Sequence, residues 1–193
     1  MAAIPSSVDC PMLKTVTSVI TRELMQDITE NLWLGKHSIH GPDHWSRVRK
    51  NGLLLCRHTG ADPVVIELFA VIHDSQRWDD GRDPEHGPRA AAYAKRVHTE
   101  LFHCTPLQLD MLVQACMGHT SDLHVPDPTI QTCWDADRLD IGRCGFDVDP
   151  HFLGTRAAKS SQMITYAMSA SRGRPDRTLV EIQRDLAAEL DLR

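Results

Sequence analysis

Several patterns that would assign a chain to a familiar class are missing from these 193 residues. The six cysteines include no Cys-x-x-Cys pair, which argues against a zinc knuckle or a disulfide framework, and we expect them to be reduced and buried. No apolar run approaches the roughly 20 residues of a membrane helix, and the N-terminal residues lack the basic-then-apolar order of a secretion signal. These absences predict a cytoplasmic protein with no membrane partner.

Charge and glycine content exclude two further classes of binding site. A net charge of −5 argues against a nucleic-acid polymer as a partner. Neither Gly-x-Gly-x-x-Gly nor Gly-Lys-Ser/Thr occurs in the sequence, and lysine is scarce. A bound nucleotide would therefore have to be held without a glycine-rich phosphate loop, and there is no obvious catalytic amine.

Helical periodicity and helix-cap residues dominate what is present. Strand-type alternation and internal repeats are absent, which predicts an all-α bundle of about eight helices in a single domain. The core is expected at about 36–145, with packing helices on both sides of it. Proline, alone or after a capping residue, marks the predicted helix starts Pro42, Asp62-Pro63, Thr105-Pro106, Asp127-Pro128, Pro150 and Pro175.

Apolar positions define three of these helices more closely. The third helix is apolar nearly all round, which predicts the most buried helix of the fold, and His73 and Asp74 come at its end. A loop rich in Gly, Pro and Asp, at 76–88, follows it and leads into a fourth helix near 85–102. The first helix is predicted from apolar residues that share one face, at 13, 16, 20, 24 and 28.

The pair His73-Asp74 predicts a divalent metal site. An ionised carboxylate at the edge of a core costs several kcal/mol unless a positive charge compensates it, and no Lys or Arg lies within two residues of the pair. Further donors occur upstream, at His44, and downstream, in Asp-Ala-Asp-Arg-Leu-Asp at 135–140. Imidazole and carboxylate donors without cysteine suit manganese, iron, cobalt, zinc or magnesium, with coordination positions left open.

The order of these residues resembles a known signature. His44, then His73-Asp74, then Asp137 is similar to the H…HD…D pattern of the HD superfamily of metal-dependent phosphohydrolases. The resemblance spans most of the chain and implies an HD-domain helical bundle. Three accessory motifs are similar to those of small stand-alone bacterial HD hydrolases: His-Trp-Ser-Arg-Val at 44–48, Glu-His-Gly-x-x-Ala-Ala at 85–91, and the acidic segment at 135–140.

The resemblance implies a ligand set for one metal ion: His44, His73, Asp74 and Asp137. Asp135 is the competing choice for the last ligand. In related sequences the acid precedes a basic and an apolar residue, which favours Asp137. Asp135 points nearly opposite on the helix, so it would then face solvent or support the ligands.

A second metal ion is left open. Some HD proteins hold one through further histidines, and the resemblance implies His86 and His119 for this role. Either histidine could instead hydrogen-bond the substrate or relay a proton. His40 is left out of the ligand set, because Gly41-Pro42 argues against a helical face shared with His44.

The resemblance further implies hydrolysis in which a water activated by the metal attacks phosphorus. The expected substrate is a small phosphorylated molecule, with nucleotides as the first class. Asp74 is expected to orient the water, and Arg77 to bind the substrate and stabilise charge on the phosphoryl oxygens. The alternative for Arg77 is a surface ion pair with Asp79 or Asp80. Secondary candidates for its role, with pairing to a nearby carboxylate as their alternative, are Arg47 and Arg138.

Two rival functions stay open. A few HD relatives are di-iron oxygenases, and a non-catalytic metal-dependent binding module would use the same ligands. The sequence does not distinguish one metal ion from two. The segment 150–193 is expected to pack as helices that either cover the pocket or pair subunits in a homo-oligomer.

Overall fold

A computed structural model describes residues 19–173. As predicted, this part of the chain is all-helical, with seven α-helices, two short 3-10 helices and no strand. The helices are α1 (Arg22–Glu30), α2 (Pro42–Thr59), α3 (Pro63–Ile72), α4 (His86–Val97), α5 (Pro106–Gly118), α6 (Pro128–Arg138) and α7 (Ser161–Ser171), and the 3-10 helices are Ile141–Cys144 and Pro150–Phe152.

Local capping chemistry explains where four of these helices begin. Each of α2, α3, α5 and α6 has proline in its first turn, as predicted. The side chains of Asp62, Thr105 and Asp127 accept hydrogen bonds from backbone N–H groups of α3, α5 and α6. Gly60 ends α2 with φ of +72°, a left-handed conformation that glycine adopts without strain. These signals are local, so the sequence alone was enough to place them.

The most buried helix is α3, as predicted. Eight of its ten residues are buried, and it packs against α2, α4, α5 and α6. Its one acid, Glu67, is also buried and forms an ion pair with Arg49. Because α3 runs through the middle of the bundle, the residues at its C-terminal end, His73 and Asp74, are held among the surrounding helices.

The fourth helix is shorter than predicted. The sequence placed it near 85–102, but α4 ends at Val97. Thr99 then takes a φ of +72°, and its N–H donates to the carbonyl oxygen of Phe102 at 2.9 Å. This turn buries Phe102 completely, so tertiary packing of one aromatic side chain outweighs helical continuation.

The region after α6 also departs from the prediction. Pro150 starts only a short 3-10 helix, and α7 begins at Ser161 with Ser160 as its cap. A small apolar cluster that includes Leu55, Leu139 and Met163 joins α7 to α2 and to the end of α6. The predicted helix start at Pro175 and the predicted apolar positions 13 and 16 lie outside the described residues, as does Cys10.

The five described cysteines are free, and burial raises the pKa of the Cys116 and Cys133 thiols. Cys116 and Cys133 are buried as predicted, whereas Cys56, Cys104 and Cys144 are only partly buried. Within residues 19–173, no helix is both long enough and apolar enough to cross a bilayer.

A close approach between α4 and α5 depends on Gly87. A Cβ atom at this position would lie 2.5 Å from the carbonyl oxygen of Cys116. The contact is with backbone, which cannot move aside as a flexible side chain can. Gly87 therefore allows the start of α4 to pack against the end of α5.

Replacement of Gly87 by alanine is expected to lower the free energy of unfolding by about 1–3 kcal/mol, because the new methyl group meets the Cys116 carbonyl. Alanine is otherwise favoured in helices by up to about 1 kcal/mol, so a net loss reports the clash. Urea unfolding measures the change. Ala92→Ser, at an exposed position of the same helix, is the control and should shift stability by less than about 0.5 kcal/mol. A Gly87→Ala protein as stable as the parent would contradict this contact.

Candidate metal centre

His73 and Asp74 lie at the C-terminal end of α3, and both side chains are buried. The His73 ring stacks on Phe69, with 4.7 Å between ring centroids. Its Nδ1 is 3.0 Å from the carbonyl oxygen of Phe69, which can only accept, so Nδ1–H is the donor. The free nitrogen of His73, Nε2, therefore faces the interior of the site.

The first turn of α2 supplies His44. Its Nδ1 lies 2.7 Å from Oδ2 of Asp140, and Nε of Arg47 donates to Oδ1 of the same carboxylate at 2.6 Å. Because the ionised carboxylate only accepts, Nδ1 of His44 carries the proton and Nε2 faces the site. Asp140 therefore orients His44 from behind, and Arg47 holds Asp140 in place.

Two imidazoles and two carboxylates form a cluster that we call the first group: it consists of His44, His73 and Asp137, which could hold one ion, together with Asp74, which approaches both imidazoles. The Nε2 atoms of His44 and His73 are 3.1 Å apart. Oδ1 of Asp137, on α6, is 3.3 Å from His44 Nε2 and 3.7 Å from His73 Nε2. Oδ2 of Asp74 is 3.5 Å and 3.6 Å from the same two nitrogens. The structure thus brings together the four residues predicted to bind a first metal ion, from three different helices.

A second group lies on the other side of the Asp74 carboxylate: Asp74, His86 and His119. His86 is the first residue of α4, and His119 directly follows α5. Their Nε2 atoms are 2.8 Å apart, and they lie 3.1 Å and 3.7 Å from Oδ1 of Asp74. Nδ1 of each ring donates to a backbone carbonyl, of Asp83 and of Cys116 respectively. Asp74 therefore stands between the groups, with one oxygen in each.

The carboxylates of the first group favour a positive charge beside them. Burial alone would lower the pKa of His44, but hydrogen bonds with Asp137, Asp140 and Asp74 outweigh it and raise the pKa to about 10. Burial would likewise raise the pKa values of the two acids, yet the surrounding histidines hold those of Asp74 and Asp137 well below their usual range. The carboxylates are therefore ionised and stabilise a cation at Nε2 of His44.

These groups fit a metal ion chemically. In the neutral rings the proton is on Nδ1, so the lone pairs of His44 Nε2 and His73 Nε2 face each other and repel unless a positive charge lies between them. Two nitrogens bound to one ion at about 2.1 Å and at a right angle would be roughly 3 Å apart, close to the observed 3.1 Å. Buried His and Asp groups of this protein could therefore hold a metal ion.

Access to the first group is from the side of Asp137. Its side chain is 16% exposed, whereas those of His44, His73 and Asp74 are no more than 3% exposed. A ligand arriving from solvent would therefore reach the first group beside Asp137, and the other three donors would stay shielded from bulk water.

Arg77 is buried at the second group and does not lie on the surface. Its Nη1 is 3.4 Å from Oδ1 of Asp74 and 3.2 Å from Nε2 of His86. Nε and Nη2 donate to the carbonyl oxygens of Asp79 and Gly81 at 3.2 Å and 2.8 Å. The alternative of a surface ion pair with Asp79 or Asp80 was wrong, since the ion pair of Arg77 is with Asp74.

Arg47 and Arg138, the secondary candidates for the role of Arg77, each have other partners in the structure. Arg47 pairs with Asp140, the acid that orients His44, which matches its alternative role. Arg138 is bound instead to backbone, and its guanidinium donates to the carbonyl oxygens of His119, Asp122, Leu123 and Phe152. Arg138 therefore connects the segment after α5 to the segment after α6 and does not face the first group.

Asp135, the competing ligand choice, does not face solvent. It is completely buried, and its carboxylate accepts hydrogen bonds from Gln131, from the backbone N–H groups of Gly154 and Thr155, and from the Thr155 hydroxyl. With four donors on its two oxygens, Asp135 anchors the 154–155 turn to α6 and is not among the groups that could hold a metal.

Sequence reasoning left out His40, which the structure places at the site. Its Nδ1 is 2.7 Å from Oδ2 of Asp74, and its Nε2 is 3.2 Å from the carbonyl oxygen of Asp80. His40 reaches Asp74 from the turn before α2, so no helical face shared with His44 is needed. The His-x-x-x-His spacing was the only sequence signal available. The partnership of Asp140 with His44 was also missed.

Comparison of the chain with known protein families, with curated proteins and with solved structures finds no match. Function therefore has to be inferred from the side chains that converge on Asp74.

Protein purified without a chelator is expected to retain a divalent metal ion, and the His73→Ala and Asp137→Ala variants are expected to lose it, by at least about tenfold in affinity. Each change removes one donor from the first group. Elemental analysis after extensive dialysis measures the retained metal. His124→Ala alters an exposed histidine outside both groups and should retain as much as the parent. Full retention by either site variant would contradict the assignment.

Asp140→Asn is expected to weaken metal binding about 10- to 100-fold without removing any donor from the first group. The variant takes away the negative charge that orients His44 and makes its Nε2 a better donor. Competition with a fluorescent chelator measures the affinity. Asp147→Asn, at a surface carboxylate 85% exposed, is the control and should bind metal as the parent does. Equal affinities of the two variants would show that Asp140 has no role.

Proposed function

We propose that this protein is an HD-type metal-dependent phosphohydrolase that acts on a small phosphorylated substrate. The observation that carries the proposal is the convergence of His44, His73 and Asp137 on one point, with Asp74 beside both imidazoles. These four residues stand in the H…HD…D order of the superfamily. Each imidazole presents Nε2 to that point while Nδ1 is bound from behind, the arrangement typical of metal-binding histidines.

The first group would hold the metal ion. Its two nitrogen and two oxygen donors suit manganese, iron, cobalt or zinc better than magnesium, which prefers oxygen. When bound, such an ion supplies a Lewis acid for a phosphoryl oxygen and lowers the pKa of a water molecule. Four protein donors leave room for further ligands on an ion that accepts five or six.

The surrounding residues have distinct roles in this proposal. Asp74 has a carboxylate oxygen in each group, so Oδ2 would help to hold the ion and Oδ1 would orient a water molecule by accepting a hydrogen bond from it. His86 and His119, whose Nε2 atoms lie on the Oδ1 side of Asp74, would relay a proton from that water or hydrogen-bond the substrate. Arg77 Nη1, held 3.4 Å from Asp74, supplies positive charge for the phosphoryl oxygens.

The substrate class follows from what could bind a phosphate here. Without a glycine-rich phosphate loop, the phosphoryl group would depend on the metal ion and on Arg77. Entry beside the partly exposed Asp137 suits a small molecule. We therefore place nucleoside mono-, di- and triphosphates first among the substrates to test, and a cytoplasmic location stays a prediction.

Purified protein loaded with manganese is expected to release phosphate or pyrophosphate from at least one member of a nucleotide panel. Asp74→Asn should lower kcat/KM by about 100-fold or more, because an amide binds the ion more weakly and orients the water less well than a carboxylate does. His124→Gln, outside both groups, is the control and should keep the parent activity.

Several outcomes would contradict the proposal. Absence of phosphate release with each of the five metals, while metal is retained, would favour a non-catalytic binding module. Two irons per chain together with oxygen consumption would favour a di-iron oxygenase. Activity that persists in Asp74→Asn would place the chemistry elsewhere on the chain.

A further inference from the structure

The two groups around Asp74 differ in one respect that bears on how many metal ions the protein holds. In each group, two histidine Nε2 atoms lie within 4 Å of an oxygen of Asp74. The second group also contains a guanidinium, from Arg77, whereas the first does not. We propose that the guanidinium of Arg77 takes the place of a second metal ion, so that each chain binds one divalent ion, in the first group. This inference rests on the proposed metal centre.

Arg77 occupies the acceptors that a second ion would need. Its Nη1 is 3.4 Å from Oδ1 of Asp74 and 3.2 Å from Nε2 of His86. These are two of the three donor atoms of the second group. Nη1 is also 3.4 Å from Nδ1 of His86, so the guanidinium lies against these atoms, and an arginine and a metal ion compete for the space beside them.

The guanidinium is also fixed in this position. Nε and Nη2 donate to the carbonyl oxygens of Asp79 and Gly81, in the loop that follows Asp74. The side chain is buried, with only 6% of the residue exposed. If Arg77 moved away to admit an ion, two carbonyl oxygens would lose their donors and a buried charge would have to find new partners.

Electrostatic repulsion disfavours the presence of both the Arg77 guanidinium and a metal ion in the second group. An ion bound to Nε2 of His86 at about 2.1 Å would lie within roughly 5 Å of Nη1 of Arg77. At this depth there is little water to screen the repulsion between a dication and a guanidinium that does not lose its proton. One fixed positive charge already neutralises the Oδ1 side of Asp74.

The first group differs from the second in its charges, because it contains two carboxylates and no guanidinium. The ion pairs of Asp137 are with the imidazoles of His44 and His73, and within residues 19–173 no guanidinium lies at ion-pair distance from it. Arg47 and Arg143 contact Asp140, behind the His44 ring. Nη2 of Arg143 also lies 3.4 Å from Nδ1 of His40, the histidine bound to Oδ2 of Asp74. In this group two carboxylates face two nitrogen lone pairs, and no guanidinium lies between them. The ion is therefore expected here.

The consequence for the proposed reaction is a mixed cation site. A phosphoryl group bound across Asp74 would meet an exchangeable dication on one side and a permanent guanidinium on the other. Arginine can donate to phosphoryl oxygens in a fixed planar geometry. A single ion also excludes chemistry that needs a pair of redox-active irons.

Metal stoichiometry tests this inference without reference to activity. Titration of the full-length apo protein with Mn²⁺, followed by calorimetry and elemental analysis, is expected to give one ion per chain. His119→Gln should still bind one ion, with affinity within about threefold of the parent, because His119 belongs only to the second group. Arg77→Met, which keeps most of the aliphatic stem, should bind two ions, and Arg77→Lys, which keeps a positive charge, should bind one.

Two ions in the parent protein, or one ion that is lost in His119→Gln, would overturn the inference. One ion in folded Arg77→Met would also overturn it. Circular dichroism verifies that each variant is folded, and if Arg77→Met does not fold, the parent and His119→Gln stoichiometries decide. Failure of the proposed metal centre is a different result: no ion in the parent, or one ion that persists in His73→Ala.

Discussion

Burial of the Asp74 carboxylate at the end of α3 is the constraint on which the rest of the site depends. A carboxylate in this position is stable only with positive charge or strong donors on both oxygens. The protein meets this requirement with histidines from four separate segments and one arginine. Each of these partners is in turn held by a backbone carbonyl or a further acid, so the network extends several side chains away from Asp74.

The sequence predicted best those structural features that are set by residues close together along the chain. Pro42 and Gly60 bound α2 through local conformational preferences, and the apolar run of α3 could only be a buried helix. The end of α4 could not be predicted, because the turn at Thr99 exists to bury Phe102, a tertiary effect. For the same reason Pro150 marked a helix start but could not indicate that only one turn would follow.

The same distinction applies to the site. The motif order singled out four residues that lie close together in the structure, His44, His73, Asp74 and Asp137, although the motif says nothing about what supports them. Asp140 acts through the His44 ring, and His40 arrives from an irregular turn, so neither contact has a periodicity that sequence analysis can detect. Arg77 was identified as important, but its burial depends on a loop that folds back on itself to place the carbonyls of Asp79 and Gly81.

The donor-bearing residues share one topological property: each lies at or near the end of a helix. His44 is in the first turn of α2, His86 begins α4, and His73 and His119 follow the last residues of α3 and α5. Helix packing fixes these ends, whereas the connections between them lie outside the packed helices. The parts of these connections that make no contact with the site can lengthen, shorten or change composition while the donors keep their positions. Under the proposed function, the architecture would separate the part that holds a cation from the part that selects a substrate, so selectivity could evolve without rebuilding the centre.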